Sequence, residues 1–456
     1  MICDKEDFFY DIHSLVKSFY PEDEVVVLTA EDEKAKEAYD DVLHLTIPPY
    51  TVRLEAKNEL KRHIYRLLSE KEDRQLPWGT LSGIRPTKIP MRGIMQGQSR
   101  DEILADMKEK YLVSDRKALL AYEIAEREKR LMDRCGEGMS LYLGIPFCPT
   151  ICSYCTFSSS PIGSWEKYLD DYLDTIEKEL AASLCRITKP LHTLYIGGGT
   201  PTSLDEGRLA RFLDMIDRYV DTGKVMEYTV EAGRPDTVTP EKLKIMKDHP
   251  ITRISVNPQT MNGKTLTLIG RGHTPEQTEE AFAMARTAGF DNINMDLIMG
   301  LPGEREEEVA YTLEKIRAMA PDSLTVHSLA LKRASRLTLG HEYDEDMLHN
   351  TDAIMEMAAE AAEGMGMVPY YLYRQKNMRG NLENVGYARP GAEGLYNILI
   401  MEEQENIMAC GAGASTKVLQ KDGHIVRVIN PKNVSQYLTR IDELIEKKTA
   451  SDIWEN

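Results

Sequence analysis

Short apolar runs and amphipathic stretches alternate along the middle of the chain, from about residue 139 to residue 375. The apolar runs cover residues 141–145, 193–196, 227–230, 253–256, 293–298 and 324–329. The stretches that separate or follow them, at 164–184, 205–219, 240–247, 275–288, 304–319 and 346–363, carry apolar residues at helical spacing. This alternation predicts a parallel sheet with helical crossovers, and its six units fit a partial or complete α/β barrel.

The regions on either side of this alternation follow different patterns. Residues 1–135 open with β-like runs at 25–28, 42–45 and 52–54, and continue with helical patterns at 58–71 and 117–134. From residue 376 the chain is Gly-rich and irregular as far as Ser415, and it ends in a helical pattern at 433–447. We therefore expect an α+β N-terminal domain over 1–135, a barrel over 136–375 and a small, mainly helical C-terminal domain over 376–456.

Length and charge narrow the class of protein. A chain of 456 residues is too long for one ordinary core, which agrees with two or three domains. The formal net charge of −18 argues against broad binding to a phosphate backbone, so we expect no nucleic-acid partner. The chain shows neither a signal-peptide run nor the roughly 18 uninterrupted apolar residues of a membrane helix. We expect a cytoplasmic protein with no membrane partner.

Three of the seven cysteines crowd into one short segment directly after the first barrel strand. Cys148, Cys152 and Cys155 have the spacing Cys-x-x-x-Cys-x-x-Cys. A structural zinc site usually takes four protein ligands. A four-iron cubane is normally held by four cysteines, so three leave one iron open to a substrate or cofactor. Zinc with a remote fourth ligand is the alternative, and the other four cysteines are scattered as single thiols.

Further candidate residues follow the ends of successive predicted strands, where α/β-barrel enzymes build their active sites. The segment 197–202, Gly-Gly-Gly-Thr-Pro-Thr, follows the second strand, and bare glycines there let the backbone approach a ligand. A tight turn is the simpler explanation of that segment alone. The polar residues at or after the later strands are Glu231, Gln259, Arg271 and Asp296.

Together these motifs resemble the radical S-adenosylmethionine (radical SAM) superfamily. The resemblance implies a 4Fe-4S cluster on Cys148, Cys152 and Cys155. It also implies that the amino and carboxylate groups of S-adenosylmethionine chelate the open iron. An electron from the cluster then cleaves the cofactor to methionine and a 5′-deoxyadenosyl radical. In such enzymes the cofactor supplies the difficult chemistry, and the protein supplies position and exclusion of solvent.

The ordered set of strand-end residues is similar to the oxygen-independent coproporphyrinogen III oxidase family over about residues 139–415. The long N-terminal extension, including 79–88, resembles that of the HemZ-type members. The resemblance implies two S-adenosylmethionine molecules. The positions implied for the first molecule are Tyr142, Gly198 and Glu231. Those implied for the second are Tyr154, Gly199, Thr200, Gln259, Arg271, Asp296 and Ala330. The segment 410–415 resembles the family's late Gly-rich segment.

The chain departs from the family pattern at two places. Thr156 and Phe157 follow the third cysteine where well-known oxidases have Gly-Cys, and Tyr396 stands where many relatives have His. The leading hypothesis is oxidative decarboxylation of coproporphyrinogen III to protoporphyrinogen IX. It implies a porphyrinogen substrate and a reductant protein such as flavodoxin or ferredoxin. The basic residues considered for binding the anionic substrate are Lys332, Arg333, Arg336, Arg374, Lys376 and Arg379.

Two other functions are considered on the same scaffold. The alternative is a haem-binding trafficking protein, a haem chaperone, for which a histidine is a natural axial ligand. The residues considered for that role, in the absence of a histidine at 396, are His273, His327 and His341. Modification of RNA by a radical enzyme fits the acidic balance of the chain poorly.

Overall fold

The N-terminal part of the chain folds around a small parallel sheet. The computed structural model describes residues 1–21, 23–47, 49–83, 85–157, 159–330, 347–374 and 382–454. Strand β1 (Ile2–Cys3) lies between β2 (Leu28–Thr29) and β3 (His44–Leu45). The helices of this part are α1 (Phe9–Phe19), α2 (Arg53–Lys71), α3 (Lys88–Met95), α4 (Arg100–Tyr111) and α5 (Asp115–Cys135).

The predicted strand at 52–54 is wrong, because these residues begin α2 instead. Val52 and Leu54 are about half exposed, at 48% and 54%. Their apolar character therefore does not reflect burial in a sheet. A run of three apolar positions is too short to separate a strand from the first turn of a helix.

The compact unit formed by Met1–Arg127 also includes two short segments from late in the chain, Asn350–Asp352 and Leu372–Asn384. Glu383 is 1% exposed. Its carboxylate accepts hydrogen bonds from Trp78 Nε1 at 2.7 Å and from Lys117 Nζ at 2.8 Å. A buried acid paired in this way attaches the segment Leu372–Asn384 to the N-terminal helices. Domain boundaries placed at single positions along the sequence do not show this connection.

Six neighbouring parallel strands form the centre of the second unit, and they follow one another in space as they do along the chain. They are β4 (Met139–Ile145), β7 (Leu191–Gly198), β8 (Glu227–Glu231), β9 (Arg253–Ser255), β10 (Ile293–Met299) and β11 (Ser323–Ser328). Two short strands, β5 (Phe147–Cys148) and β6 (Ser160–Pro161), form a separate ribbon in the first crossover. The predicted partial barrel of six strand–helix units is confirmed.

Side-chain caps begin some of the helices that connect or follow the barrel strands. The helices in these positions are α6 (Leu169–Ser183), α7 (Glu206–Tyr219), α8 (Pro240–Lys247), α9 (Gly263–Leu268), α10 (Pro275–Thr287), α11 (Glu306–Met319) and α12 (Asp352–Gly364). Asp205 accepts a hydrogen bond from Arg208 N before α7, and Thr274 and Gln277 form a capping box around the first turn of α10. Among the helices in the described ranges, none is long and apolar enough to cross a membrane.

The C-terminal region differs from the expected separate, mainly helical domain. Val385–Asn456 belongs to the same compact unit as the barrel. Its elements, with those that lead into it, are β12 (Val368–Tyr373), β13 (Asn384–Ala388), α13 (Leu395–Glu402), β14 (Asn406–Cys410), β15 (Ser415–Leu419), β16 (Ile425–Ile429), α14 (Val434–Thr439) and α15 (Ile441–Thr449). Strand β14 extends the sheet beside β4, and β13 pairs antiparallel with β11. The free edges of a partial barrel attract these strands, because they satisfy backbone groups that an edge leaves unpaired.

A fully buried carboxylate joins the C-terminal region to helix α6. Glu179 and Lys448 are both 0% exposed and form an ion pair. The Glu179 carboxylate also accepts hydrogen bonds from Gly411 N (2.8 Å), Asn430 Nδ2 (2.8 Å) and Tyr437 OH (2.7 Å). Lys448 Nζ donates in addition to Ala409 O at 2.5 Å. Four donors satisfy this acid, which is the condition for a buried charge to be tolerated.

We predict that Glu179→Gln lowers the free energy of unfolding by about 3–5 kcal/mol, because it leaves the Lys448 ammonium buried without a counter-charge. Urea denaturation followed by circular dichroism measures the loss. Glu177→Gln is the matched control on the same helix, since Glu177 is partly exposed and pairs with Arg218 at the surface. That variant should lose less than about 1 kcal/mol. Equal losses in the two variants would contradict the role given to the buried pair.

Candidate functional site

The cysteine loop leaves the barrel directly after the first parallel strand. Cys148 ends β5, and the loop returns to pair at β6, with Phe147 opposite Ser160. Cys152 is 7% exposed, and Cys148 and Cys155 are half-buried, all three as free thiols. A hydrogen bond from Cys155 N to Cys152 O, at 3.1 Å, closes a turn between them. The loop therefore presents three thiols at the carboxyl end of the barrel, as the motif predicts.

Neighbouring strand ends hold this loop through backbone and side-chain contacts. Thr200 N donates to Phe147 O at 2.7 Å, and Thr200 Oγ1 lies 3.4 Å from Cys148 Sγ. Burial raises the pKa of the Cys148 thiol to about 11. Without a metal the thiol therefore stays protonated, and metal binding displaces the proton.

The three glycines at the end of β7 are required by close packing. A side chain at Gly199 would place Cβ 2.6 Å from Phe147 O in the cysteine loop. One at Gly197 would meet the Glu231 carboxyl carbon at 2.8 Å. Gly198 has φ +109°, a conformation that residues with a side chain rarely adopt. These contacts with protein atoms agree with the tight-turn explanation, and approach of the backbone to a ligand stays a prediction.

A pocket of about 320 Å³ opens beside the cysteine loop. It is lined by Tyr142, Pro146, Thr156, Phe157, Gly198, Glu231, Ala412, Gly413 and Lys432. The three residues implied for the first S-adenosylmethionine, Tyr142, Gly198 and Glu231, thus share one cavity. Sequence reasoning missed Lys432. The only available signal was its nearness in the chain to the Gly-rich segment 410–415, with which residues 430–431 pair.

Tyrosine rings pack behind this pocket in the interior of the barrel. Tyr142 and Tyr195 face one another on adjacent strands with ring centroids 6.1 Å apart, and Tyr396 stacks on Tyr195 at 4.4 Å. The Tyr195 hydroxyl donates to the Glu231 carboxylate. Burial raises the pKa of Glu231 to about 7, and the hydrogen bond from Tyr195 opposes this rise. The pocket therefore holds an acid that is poised to change its charge near neutral pH.

The positions implied for a second cofactor do not all lie at strand ends as expected, since Asp296 is within β10 and Arg271 follows α9. Gln259 has φ +67°, is 8% exposed, and its Oε1 accepts no hydrogen bond from the described residues. Its backbone N–H donates to Asp296 O at 2.9 Å. The Asp296 carboxylate accepts from Asn294 Nδ2 at 2.7 Å and lies 3.9 Å from His327 Nε2. Burial opposes ionisation of Asp296, but these partners outweigh it, so its pKa lies below the usual value.

Tyr154 and Arg271 contact one another instead of standing free. Tyr154 packs against the apolar cluster that includes Leu266, Ile298 and Leu329. Its hydroxyl accepts a hydrogen bond from Arg271 Nη1 at 2.9 Å. Ala330 is half-buried two residues after β11. None of Gln259, Arg271, Asp296 and Ala330 is among the described residues that line the 320 Å³ pocket, so the structure separates the predicted residues into two groups.

The other described cysteines keep their expected simple character. Cys3 and Cys410 are buried, and Cys185 is exposed. Burial raises the pKa of Cys410 to about 12, which keeps this thiol neutral and unreactive.

Comparison with known proteins agrees with this geometry. The Radical SAM superfamily profile matches residues 142–316. The oxygen-independent coproporphyrinogen-III oxidase-like protein HemZ of Bacillus subtilis is 40% identical over 86% of this chain and 80% of its own length. The haem chaperone HemW of the same organism is 32% identical over 67% of this chain and 76% of its own. The solved structure of coproporphyrinogen III oxidase HemN from Escherichia coli superposes with a TM-score of 0.55 at 21% identity, over 69% of this chain and 72% of that one.

A parallel barrel with a three-cysteine loop at its carboxyl end defines a radical SAM protein. The chain belongs to that superfamily and, within it, to the family of oxygen-independent coproporphyrinogen III oxidase-like proteins that includes HemZ. Membership implies a 4Fe-4S cluster and S-adenosylmethionine.

The donor set fits an iron–sulfur cluster. Cysteine thiolates are the usual ligands of such clusters. In the described part of the chain, no three His, Cys, Asp or Glu side chains converge on a single metal position. A cubane does not require such convergence, because each thiolate binds a different iron. Cys148, Cys152 and Cys155 would hold the cluster, and Tyr142, Gly198 and Glu231 would contact S-adenosylmethionine.

We predict that anaerobically reconstituted protein holds about four irons per chain, the content of one cubane. Cys148→Ala, Cys152→Ala and Cys155→Ala should each abolish the brown colour and the iron content, measured by visible absorption and iron analysis. Cys185→Ala is the control, because this thiol is exposed and lies outside the loop. Zinc retained in place of iron after reconstitution would support the zinc alternative.

Glu231 provides a second prediction, on stability against pH. Its folded pKa is raised, so the folded state retains a proton that the unfolded state loses, and wild-type stability falls as pH rises from about 4.5 to about 7. Glu231→Gln has no such titration and keeps the acceptor for Tyr195. The difference in melting temperature between variant and wild type should therefore rise between pH 5 and pH 8, by the equivalent of up to about 3 kcal/mol. A difference independent of pH would contradict the raised pKa.

Proposed function

We propose that this protein is a radical SAM oxidoreductase that decarboxylates coproporphyrinogen III to protoporphyrinogen IX without oxygen. The observation that carries the proposal is the pocket that joins the cysteine loop to Tyr142, Gly198 and Glu231. The similarity to HemZ over most of both chains supports the same activity. When bound, the cluster and S-adenosylmethionine would supply the radical chemistry: one hydrogen atom leaves a substrate propionate, and loss of carbon dioxide, with one electron passed to an acceptor, leaves a vinyl group.

The residues of the pocket orient the cofactor and exclude water. Glu231 accepts hydrogen bonds from the amino group of S-adenosylmethionine, and its neighbour Tyr195 fixes the direction of the carboxylate. Gly198 lets the β7 backbone approach the cofactor. We propose a second S-adenosylmethionine at Gln259 and Asp296, because a strained residue with an unpartnered buried acceptor is a feature of ligand sites.

An anionic substrate needs a local positive charge in this acidic chain. Lys432 is the basic residue among the described lining of the pocket, which also includes Glu231. Arg374 is not counted as a substrate ligand, because its Nη1 donates a hydrogen bond to Leu81 O at 2.7 Å within the N-terminal unit. The other basic residues considered, Lys332, Arg333, Arg336, Lys376 and Arg379, lie outside the described residues. We therefore add Lys432 as a carboxylate-binding residue.

The haem carrier is the second candidate function, favoured by the similarity to HemW. A carrier requires an axial ligand. Burial raises the pKa of Tyr396 well above its usual value, so this residue stays protonated and is a poor ligand. Burial, with Arg271 nearby, lowers the pKa of His273 to about 3, and His341 lies outside the described residues. Of the three histidines considered as axial ligands, His327, which lies 3.9 Å from Asp296, is therefore the one that the carrier hypothesis retains.

One anaerobic assay distinguishes the two functions. Reconstituted protein is mixed with a reductant, S-adenosylmethionine, coproporphyrinogen III and a one-electron acceptor, and the pigments are separated by chromatography. We expect vinyl products and one 5′-deoxyadenosine for each propionate lost. Stoichiometric haem binding, abolished by His327→Ala, with no decarboxylation would instead establish the carrier.

The same assay tests Lys432. Lys432→Met should raise the KM for coproporphyrinogen about tenfold with a smaller effect on kcat, since one lost charge-assisted contact contributes about 1.5–3 kcal/mol. Lys432→Arg should restore most of the affinity. Lys421→Met is the control, because Lys421 is an exposed lysine of the same region that does not line the pocket. An unchanged KM in Lys432→Met would exclude this residue from substrate binding.

A further inference from the structure

Arg271 is buried against the cysteine loop with all of its terminal nitrogens engaged. It is 7% exposed. Nη1 donates to Tyr154 OH at 2.9 Å and lies 3.8 Å from Cys152 Sγ. Nη2 donates to Gly233 O at 2.7 Å and to Asn257 O at 2.6 Å. The guanidinium therefore bridges the segments after two strands and the cysteine loop.

No carboxylate pairs with this cation in the described part of the chain. Arg234, the neighbouring buried arginine, provides the contrast. It is 3% exposed and pairs with Asp236 through two contacts of 2.8 and 2.7 Å, while Nη1 holds Thr150 Oγ1 at 3.0 Å. Two buried arginines thus lie against the same loop, one neutralised by a carboxylate and one not.

An uncompensated buried charge is costly, so its counter-charge is expected nearby. Of the groups that Arg271 contacts, the Cys152 sulfur, 3.8 Å from Nη1, is the one that becomes anionic when a cluster binds. Three thiolates make a bound cluster site anionic, and reduction of the cluster adds a further electron. A cation that donates toward a cluster sulfur stabilises the reduced form more than the oxidised form, and so raises the reduction potential.

We propose that Arg271 is a positioning residue that provides the counter-charge of the iron–sulfur cluster and raises its reduction potential through Cys152. This differs from the role implied by the family motif, which is contact with a second S-adenosylmethionine. Nη1 and Nη2 already have acceptors, and Nε is buried without a partner among the described residues. The proposal rests on membership of the superfamily and is independent of the identity of the substrate.

The backbone around Arg271 fixes this geometry before any cofactor binds. Ser153 N donates to Ile269 O at 3.0 Å, and Thr150 Oγ1 donates to Gly270 O at 3.3 Å. The segment 269–271 therefore lies along the cysteine loop. These backbone contacts, with those of the guanidinium, hold Arg271 beside Cys152.

The test is a reductive titration of reconstituted wild type, Arg271→Met and Arg271→Gln, followed by electron paramagnetic resonance without substrate. Both neutral variants should hold the cluster at a more negative reduction potential than wild type, and Arg271→Lys should recover part of the shift. Arg218→Met is the charge-matched control, because it removes a guanidinium that is exposed and pairs with Glu177 at the surface. Its potential should stay close to that of wild type.

Equilibrium binding of S-adenosylmethionine, measured by calorimetry on the same samples, separates the two roles. The proposal expects near wild-type affinity in the neutral variants. A wild-type potential together with a loss of binding of tenfold or more would overturn it in favour of the cofactor contact. If neither neutral variant holds a cluster, Arg271→Lys decides, because the proposal requires the retained charge to restore assembly. Failure of that variant to hold iron would also overturn the proposal.

Discussion

The carboxylate of Glu179 is the constraint on which the site depends. It is fully buried, and it gathers Lys448, Asn430, Tyr437 and Gly411 around one point. Each of these partners comes from the last fifty residues of the chain. Because a buried charge has to be fully satisfied, the C-terminal region has little freedom to dock in another register. The consequence reaches the pocket, since Ala412 and Gly413 form part of its wall.

Close contacts between backbone segments bring the Gly-rich segment 410–415 and the end of β7 to the pocket. Gly411 has φ +107°, and a Cβ there would lie 2.5 Å from Gly144 O. The Tyr172 hydroxyl donates to Gly144 O at 2.6 Å and accepts from Ala412 N at 3.0 Å, so one side chain joins β4 to the Gly-rich segment. Gly199, directly after β7, packs in the same way against Phe147 before the cysteines. Close packing at these glycines thus brings together the segments whose side chains line the pocket.

Few charged side chains lie around the cysteine loop and the pocket in the described part of the chain. Arg234 is neutralised by Asp236, whereas Arg271 faces Cys152 without a carboxylate. In the pocket, burial raises the pKa of Glu231 to about 7. Burial also raises the pKa of Tyr396, so this residue stays neutral. Tyr396 fills the barrel interior by stacking on Tyr195.

The sequence by itself determined the order of strands and helices in the barrel and the position of the cysteine loop. Local periodicity and capping residues such as Thr274 carry that information, and parallel strands with helical crossovers leave few alternatives. The family motif also indicated Tyr142, Gly198 and Glu231, which share one pocket. Only the tertiary structure decided that residues 384–429 extend the sheet, that Lys432 reaches the pocket, and that Arg271 contacts Cys152. These pairs are far apart in the chain, and their contacts follow from burial and from the satisfaction of backbone groups at a sheet edge, which no local pattern encodes.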